Sequence, residues 1–258
     1  MKTLRLLLVC ALVPAFGLVS GQSYVINEIG DTVNYTDAAG IKQGMWIEKD
    51  RAIESKGRYN KGIKEGLWTV YHPKGMISKI ENYRNGQLDG ISVQIEQRGY
   101  LRSESYYKDG KLHGTATEYR YGSTPENRIS YRNGLKEGKT ELFYENGVVQ
   151  EEAYYRNDQR DSITIWYDMK GKKVAEFNYK EGVFSGIQKT YYENDSLRTV
   201  ENYENNVPVG LYREYHENGK LKLTGEYKDG LKHGKWSEYN DDGTLREEKK
   251  YKKGEEGK

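Results

Sequence analysis

Apolar and aromatic residues alternate with polar ones in short runs, as in KWSEY (Lys235 to Tyr239) and LREEKKY (Leu245 to Tyr251). Gly, Asn or Asp bounds each run, which is the pattern of a strand between turns. No stretch keeps a 3.6-residue apolar period, and a glycine every few residues makes helix costly. The runs also recur. Tyr59, Tyr83, Tyr107, Tyr131, Tyr155, Tyr179, Tyr203, Tyr227 and Tyr251 follow one another at 24 residues, and Tyr35 extends the series backwards. The near-duplicates YKDGKLHGTATEY and YKDGLKHGKWSEY therefore mark one repeat position five periods apart.

Three further columns keep the same interval. One runs from Gly62 to Gly254 with Asp158 and Asn206 as its exceptions, and a second from Gly66 to Gly234 with Ser162 as its exception. A third runs from Gly75 to Gly243 with Ser123 and Asp195 as exceptions. Asn and Asp are the residues that best replace Gly in a left-handed backbone, so the first and third columns predict turns with positive φ. Gly122 beside Ser123 and Pro125 after it predict a rearranged turn there.

Each 24-residue unit thus reads as a β-hairpin joined to the next by a tight turn. The predicted architecture is all-β: an elongated, single-layer antiparallel meander of tandem hairpins. With two strands per unit at about 4.8 Å each, nine units would extend roughly 85 Å. Eight full repeats span residues 59–250, after an N-terminal segment, 22–58, with one irregular repeat; a partial repeat and charged tail occupy 251–258. In the irregular repeat Gly40, Gly44 and Trp46 stand two residues out of register. Alternation puts Tyr71 and Leu67 on one face. Ile77 shares a face with the 24-residue tyrosines, and stacked hairpins are expected to merge these into one ladder of tyrosines and aliphatics. Trp68, Trp166, Tyr212 and Trp236 then fall on the opposite, polar face, where they are candidate partner contacts.

Composition fits a sheet without a large core, since Leu, Ile, Val and Phe make up only about 17% of residues 22–258. Residues 1–21 read as a cleavable signal peptide: Lys2 and Arg5, an apolar run from Leu6 to Val19, then small residues before Gln22. Export to the periplasm or medium is the expectation. Cys10, the one cysteine, would leave with the leader, and 39 basic residues would remain against 39 acidic ones. That balance argues against nucleic acid and against electrostatic docking on anionic lipid.

The unit Y-x-[D/N]-G-x-x-x-G-x-[W]-x-x-Y-x-x-x-G, as in YKDGLKHGKWSEYNDDG and YNKGIKEGLWTVYHPKG, resembles the MORN-repeat superfamily. It is most similar to the bacterial variant form, which includes exported repeat proteins and YwqK-type antitoxins. The resemblance implies a twisted antiparallel sheet of hairpins. It implies function only loosely, as scaffolding, membrane association or toxin neutralisation. Trp occupies its column only at Trp68 and Trp236, so the middle units depart from the full pattern.

Candidate chemistry is sparse. His113 and His233 share one column, and His72 and His216 another, five and six periods apart, too distant to share a metal. Carboxylates such as Glu118, Glu214 and Glu238 repeat along a strand column without a pocket to isolate a pair. No catalytic residue, metal site or cofactor is predicted. The expected role is a non-enzymatic surface for another protein, with toxin neutralisation as one form. Cell-wall or carbohydrate binding and membrane association are the rivals.

Overall fold

The computed structural model describes residues 22–257. The predicted signal peptide with Cys10 lies outside the described residues. Every regular element among those described is a strand, and the chain divides into two compact units, up to Ser123 and from Thr124. The first unit is an antiparallel meander from Ser23–Ile26 to Lys111–Arg120. The second runs from Thr124–Arg132 to Glu255–Glu256, again with each strand paired to its chain neighbour.

The turn columns behave as their residue types require. At the first, two successive residues have positive φ, for example Asn85 at 50° and Gly86 at 78°, the signature of a two-residue type I′ hairpin. Asp158 and Asn206 both adopt φ of 66°. They also do what Gly cannot. Asp158 N–H donates to the Lys136 carbonyl while Asp158 Oδ1 accepts from Lys136 N–H, at 3.1 and 2.7 Å. Asn206 clasps Phe184 in the same reciprocal way, at 3.0 and 2.7 Å. At the third column Asp195 and Ser123 have φ of 67° and 64°, and Gly122 beside Ser123 is also positive at 84°. The irregular repeat is two residues out because Lys42–Asp50 and Ile53–Asn60 join through Arg51-Ala52 alone, where Asp50 pairs with Ile53.

The expected faces need correction. Gly66 pairs with Tyr83 and Trp68 with Glu81, so the 24-residue tyrosines share a face with the tryptophans. After Val70 pairs with Lys79 the register slips, and Tyr71 pairs with Ile77, leaving Ser78 as a bulge. A bulge of one residue reverses alternation beyond it. Tyr71, Leu67 and Ile77 therefore lie on the other face, and the two tyrosine series are on opposite sides. The aliphatics expected to form the ladder are largely solvent-facing, Leu67 at 60% exposure.

The core is instead one column on the tryptophan face: Trp68, Ser92, Thr140, Thr164, Gln188 and Trp236, all buried. Its neighbours across the strand gap vary to suit. Ala153 lies opposite Thr164 and Ile129 opposite Thr140, whereas Gly57 and Gly225 lie under the two indoles. Long side chains roof this column, as where Lys64 Nζ sits 4.0 Å from the centre of the Trp68 ring.

Candidate functional site

The four predicted contact residues separate into two pairs. Trp68 and Trp236 are 1% and 3% exposed, so they are packing residues. Each indole lies flat on a glycine backbone, and a Cβ at Gly57 or Gly225 would come 2.1 Å from the ring. Trp68 meets Tyr59 and Tyr83 edge to face at 5.2 and 6.5 Å, and Trp236 meets Tyr227 and Tyr251 at 5.1 and 6.3 Å. The indole N–H groups donate to Arg58 and Glu226 carbonyls. The expectation that these two face a partner is overturned, because the register puts them under the tyrosines.

Trp166 and Tyr212 are half-buried, and the second unit brings them to one hollow of about 680 Å³. Its floor is a row of direct cross-strand neighbours. Trp166 pairs with Ala175, Ala175 with Thr190, Thr190 with Thr199, and Thr199 with Glu214. Small side chains therefore lie between an indole at one end and Tyr212 with Glu214 at the other, and Phe177 and Arg198 complete the wall. The row crosses four strand gaps, so it is about 19 Å long.

Both ends are held from behind. The Arg160 guanidinium lies 6.0 Å from the Trp166 ring centre and makes a 2.5 Å ion pair with Glu151, which is 2% exposed and pairs with Trp166 across the strands. Burial pushes the Glu151 carboxyl above its ordinary range, with Arg160 opposing the shift. Tyr212 stacks on Trp236 at 5.6 Å and 27°, so the buried indole is the support of the exposed ring. Burial, then the Glu214 and Glu201 carboxylates, raise the Tyr212 hydroxyl, which stays protonated as a donor to Glu214.

Two of the four histidines are turn staples. His72 and His216 meet the Ile95 and Tyr239 carbonyls through Nε2 at 2.9 Å, where Tyr144 and Tyr192 hydroxyls donate to Tyr167 and Tyr215 carbonyls in their own repeats. Among the described residues no group of His, Asp and Glu side chains is placed to hold a metal, and no helix is long and apolar enough to cross a membrane. Sequence reasoning missed Phe177 and Arg198. Phe177 is the one aromatic residue in a column that runs from Gly57 through Ile129 and Ala153 to Gly225.

No curated protein matches the chain. Among solved structures it resembles a chain of the Photorhabdus luminescens Tc holotoxin pore, at 12% identity and a TM-score of 0.20 over 87% of this chain. It spans 14% of that toxin chain. Segments 64–89, 136–157, 184–205, 208–229 and 232–253 each match the model of the MORN repeat variant. Hairpins of this geometry lie at each of those five places, so these segments are similar to the MORN repeat variant in sequence and in their strand pattern.

Proposed function

We propose that this is an exported, non-catalytic binding protein, and that the hollow between Trp166 and Tyr212 receives a protein partner. The observation that carries the reading is the small-residue row of Ala175, Thr190 and Thr199 bordered by aromatic rings, Trp166, Phe177 and Tyr212 among them. Half-buried aromatics around a shallow floor offer apolar area at low entropic cost, which is the chemistry of a binding hot spot. The carboxylates at its rim are engaged in structural bonds, Asp168 with Lys170 and Lys172 N–H groups and Glu214 with Lys222 Nζ, which supports binding over acid–base catalysis. The leader pattern of residues 1–21 supports export.

The test is affinity capture from the envelope and medium of the producing cell with the full mature chain, beside glycan and liposome arms. Trp166→Ser should lose the captured protein while keeping the β circular-dichroism signal. Retention of every partner by Trp166→Ser, or specific glycan capture with no protein, overturns the reading. A small toxin among the partners would make the protein a neutralising one.

A further inference from the structure

The hollow contains one charge that the protein does not answer. Cations recur at the bulge column, and elsewhere they meet carboxylates: Arg102 with Glu96 at 3.5 Å, Lys222 with Glu214 at 2.7 Å and Arg246 with Glu238 at 2.7 Å. Glu214 and Glu238 occupy the repeat position that Thr190 fills two strands before Glu214. Thr190 has no charge, and its hydroxyl bonds that of Thr199 at 2.6 Å. Among the described residues Arg198 consequently has no ion pair and no side-chain hydrogen bond. Its guanidinium lies 5.7 Å from the Tyr192 ring centre, exposed at the wall of the hollow. The nearby acids are committed, Asp168 to its own turn and Glu193 to Lys170 Nζ at 2.6 Å.

On this basis we infer that the hollow selects an extended peptide segment carrying an apolar or aromatic side chain and, four residues along, an Asp or Glu. The inference rests on the proposed binding role of the hollow and names its partner's chemistry. Two considerations commit it to that occupant. A guanidinium offers a planar fork that a carboxylate fills with two bonds. Residues four apart in an extended strand point to the same side and lie ~13 Å apart, which matches the three strand gaps from Trp166 to the Arg198 strand, so one segment presents its ring to Trp166 and Phe177 and its acid to Arg198. About six residues at ~3.3 Å each span the ~19 Å floor.

The probes are fluorescein-labelled, end-capped heptapeptides: Gly-Phe-Ser-Ser-Ser-Asp-Gly, its Asn and Lys analogues in place of Asp, and its Ala analogue in place of Phe. Each is titrated against the full mature chain by anisotropy. The Asp peptide should bind about tenfold tighter than the Asn peptide and still tighter than the Lys peptide, and the gap should shrink in high salt. Arg198→Gln should close the gap. Thr190→Glu should close it too, by supplying the acid that this position holds beside Lys222 and Arg246, without deleting the arginine. Trp166→Ser should weaken the Asp, Asn and Lys peptides alike. Binding that needs Trp166 but ignores the acid overturns this inference and leaves the hollow's role intact. So does a failure of all peptides while a captured protein still depends on Trp166. Uronic-acid oligosaccharides held through Arg198, with no peptide bound, overturn the peptide occupant, and binding insensitive to Trp166 in every arm overturns the inference and the role together.

Discussion

Placing a methyl group under Trp236 tests whether the tryptophan column is the core. In Gly225→Ala the new Cβ would lie 2.1, 2.3 and 2.5 Å from Trp236 Cδ2, Cε2 and Cγ. Carbon contacts settle at about 3.5–4.0 Å, so the indole must retreat by roughly 1.5 Å. Tyr212 stacks on it, Tyr227 and Tyr251 flank it, and Lys232 Nζ is 4.3 Å from its ring centre. Overpacking of this kind costs about 1–3 kcal/mol. Complete expulsion of the ring would forfeit 150–250 Å² of burial, about 4–6 kcal/mol at ~25 cal/mol/Å², so the chain takes the cheaper route and the expected loss is about 2–3 kcal/mol. The same methyl already exists three periods earlier, where fully buried Ala153 faces Thr164. In a Trp236→Thr background, therefore, Gly225→Ala should be neutral or stabilise by ~0.5–1 kcal/mol through the lost backbone freedom of glycine. The coupling of the two changes should be about 3 kcal/mol. Urea melts of all four proteins by circular dichroism measure it, with hydrogen exchange to detect opening confined to the last repeats. Equal costs of Gly225→Ala in both backgrounds would refute the reasoning.

Three other perturbations probe separate interactions. Asp158→Ala keeps the positive φ and loses the bond from Lys136 N–H, so a urea melt should show a loss of about 1–2 kcal/mol; Asp158→Gly should fall between it and wild type, and a Gly variant as stable as wild type would argue against the clasp. Tyr144→Phe removes the donor to the Tyr167 carbonyl and should cost about 1 kcal/mol, read by the same melt. Glu151 carries a pH dependence whose sign follows from burial. Its folded carboxyl lies above the ordinary 4.5, so the folded state takes up the proton first and the stability contribution falls as pH rises from 4.5 through the folded value. Stability of wild type minus that of Glu151→Gln, measured by urea melts from pH 4 to 7, should decline over that interval and level off above it; a difference that rises with pH would exclude burial as the dominant effect.

The turns were legible because few residues tolerate positive φ. Asp158, Asn206 and Asp195 betray the conformation by replacing glycine with the residues that bear it best, and all three have φ of 66° or 67°. Faces were not legible to the same degree. Alternation relates residues within a strand, but the register sets which parity of the next strand shares their side. That register depends on a bulge whose residue is Ser78, Val174, Arg198 or Lys222 in different repeats, types with nothing in common that would announce it. One signal was available and went unused: Gly57 and Gly225 fall outside all three turn columns, and each precedes a column tryptophan by eleven residues.

That pairing also explains where a binding site could arise. The repeat lattice constrains backbone positions strictly, since turn and bulge geometry recurs whatever side chain stands between. It constrains the core column only through volume, as Gly with Trp, Ala with Thr and Ile with Thr all satisfy the same site. Where the terminal repeats place an indole, the surface closes over Trp236. Between Trp166 and Tyr212 the column carries Thr164 and Gln188 beneath a floor of Ala175, Thr190 and Thr199, and no ring fills the space. Thr190 lacks the acid that Glu214 and Glu238, one and two repeats later, supply to their neighbouring cations. Thr164 and Gln188 where other repeats hold a ring, and Thr190 where two later repeats hold a glutamate, thus leave a hollow and an arginine unanswered at its wall, at no cost to the turns that hold the strands. In a chain built from a repeated hairpin, side chains that break the period can serve recognition because those that keep it already maintain the fold.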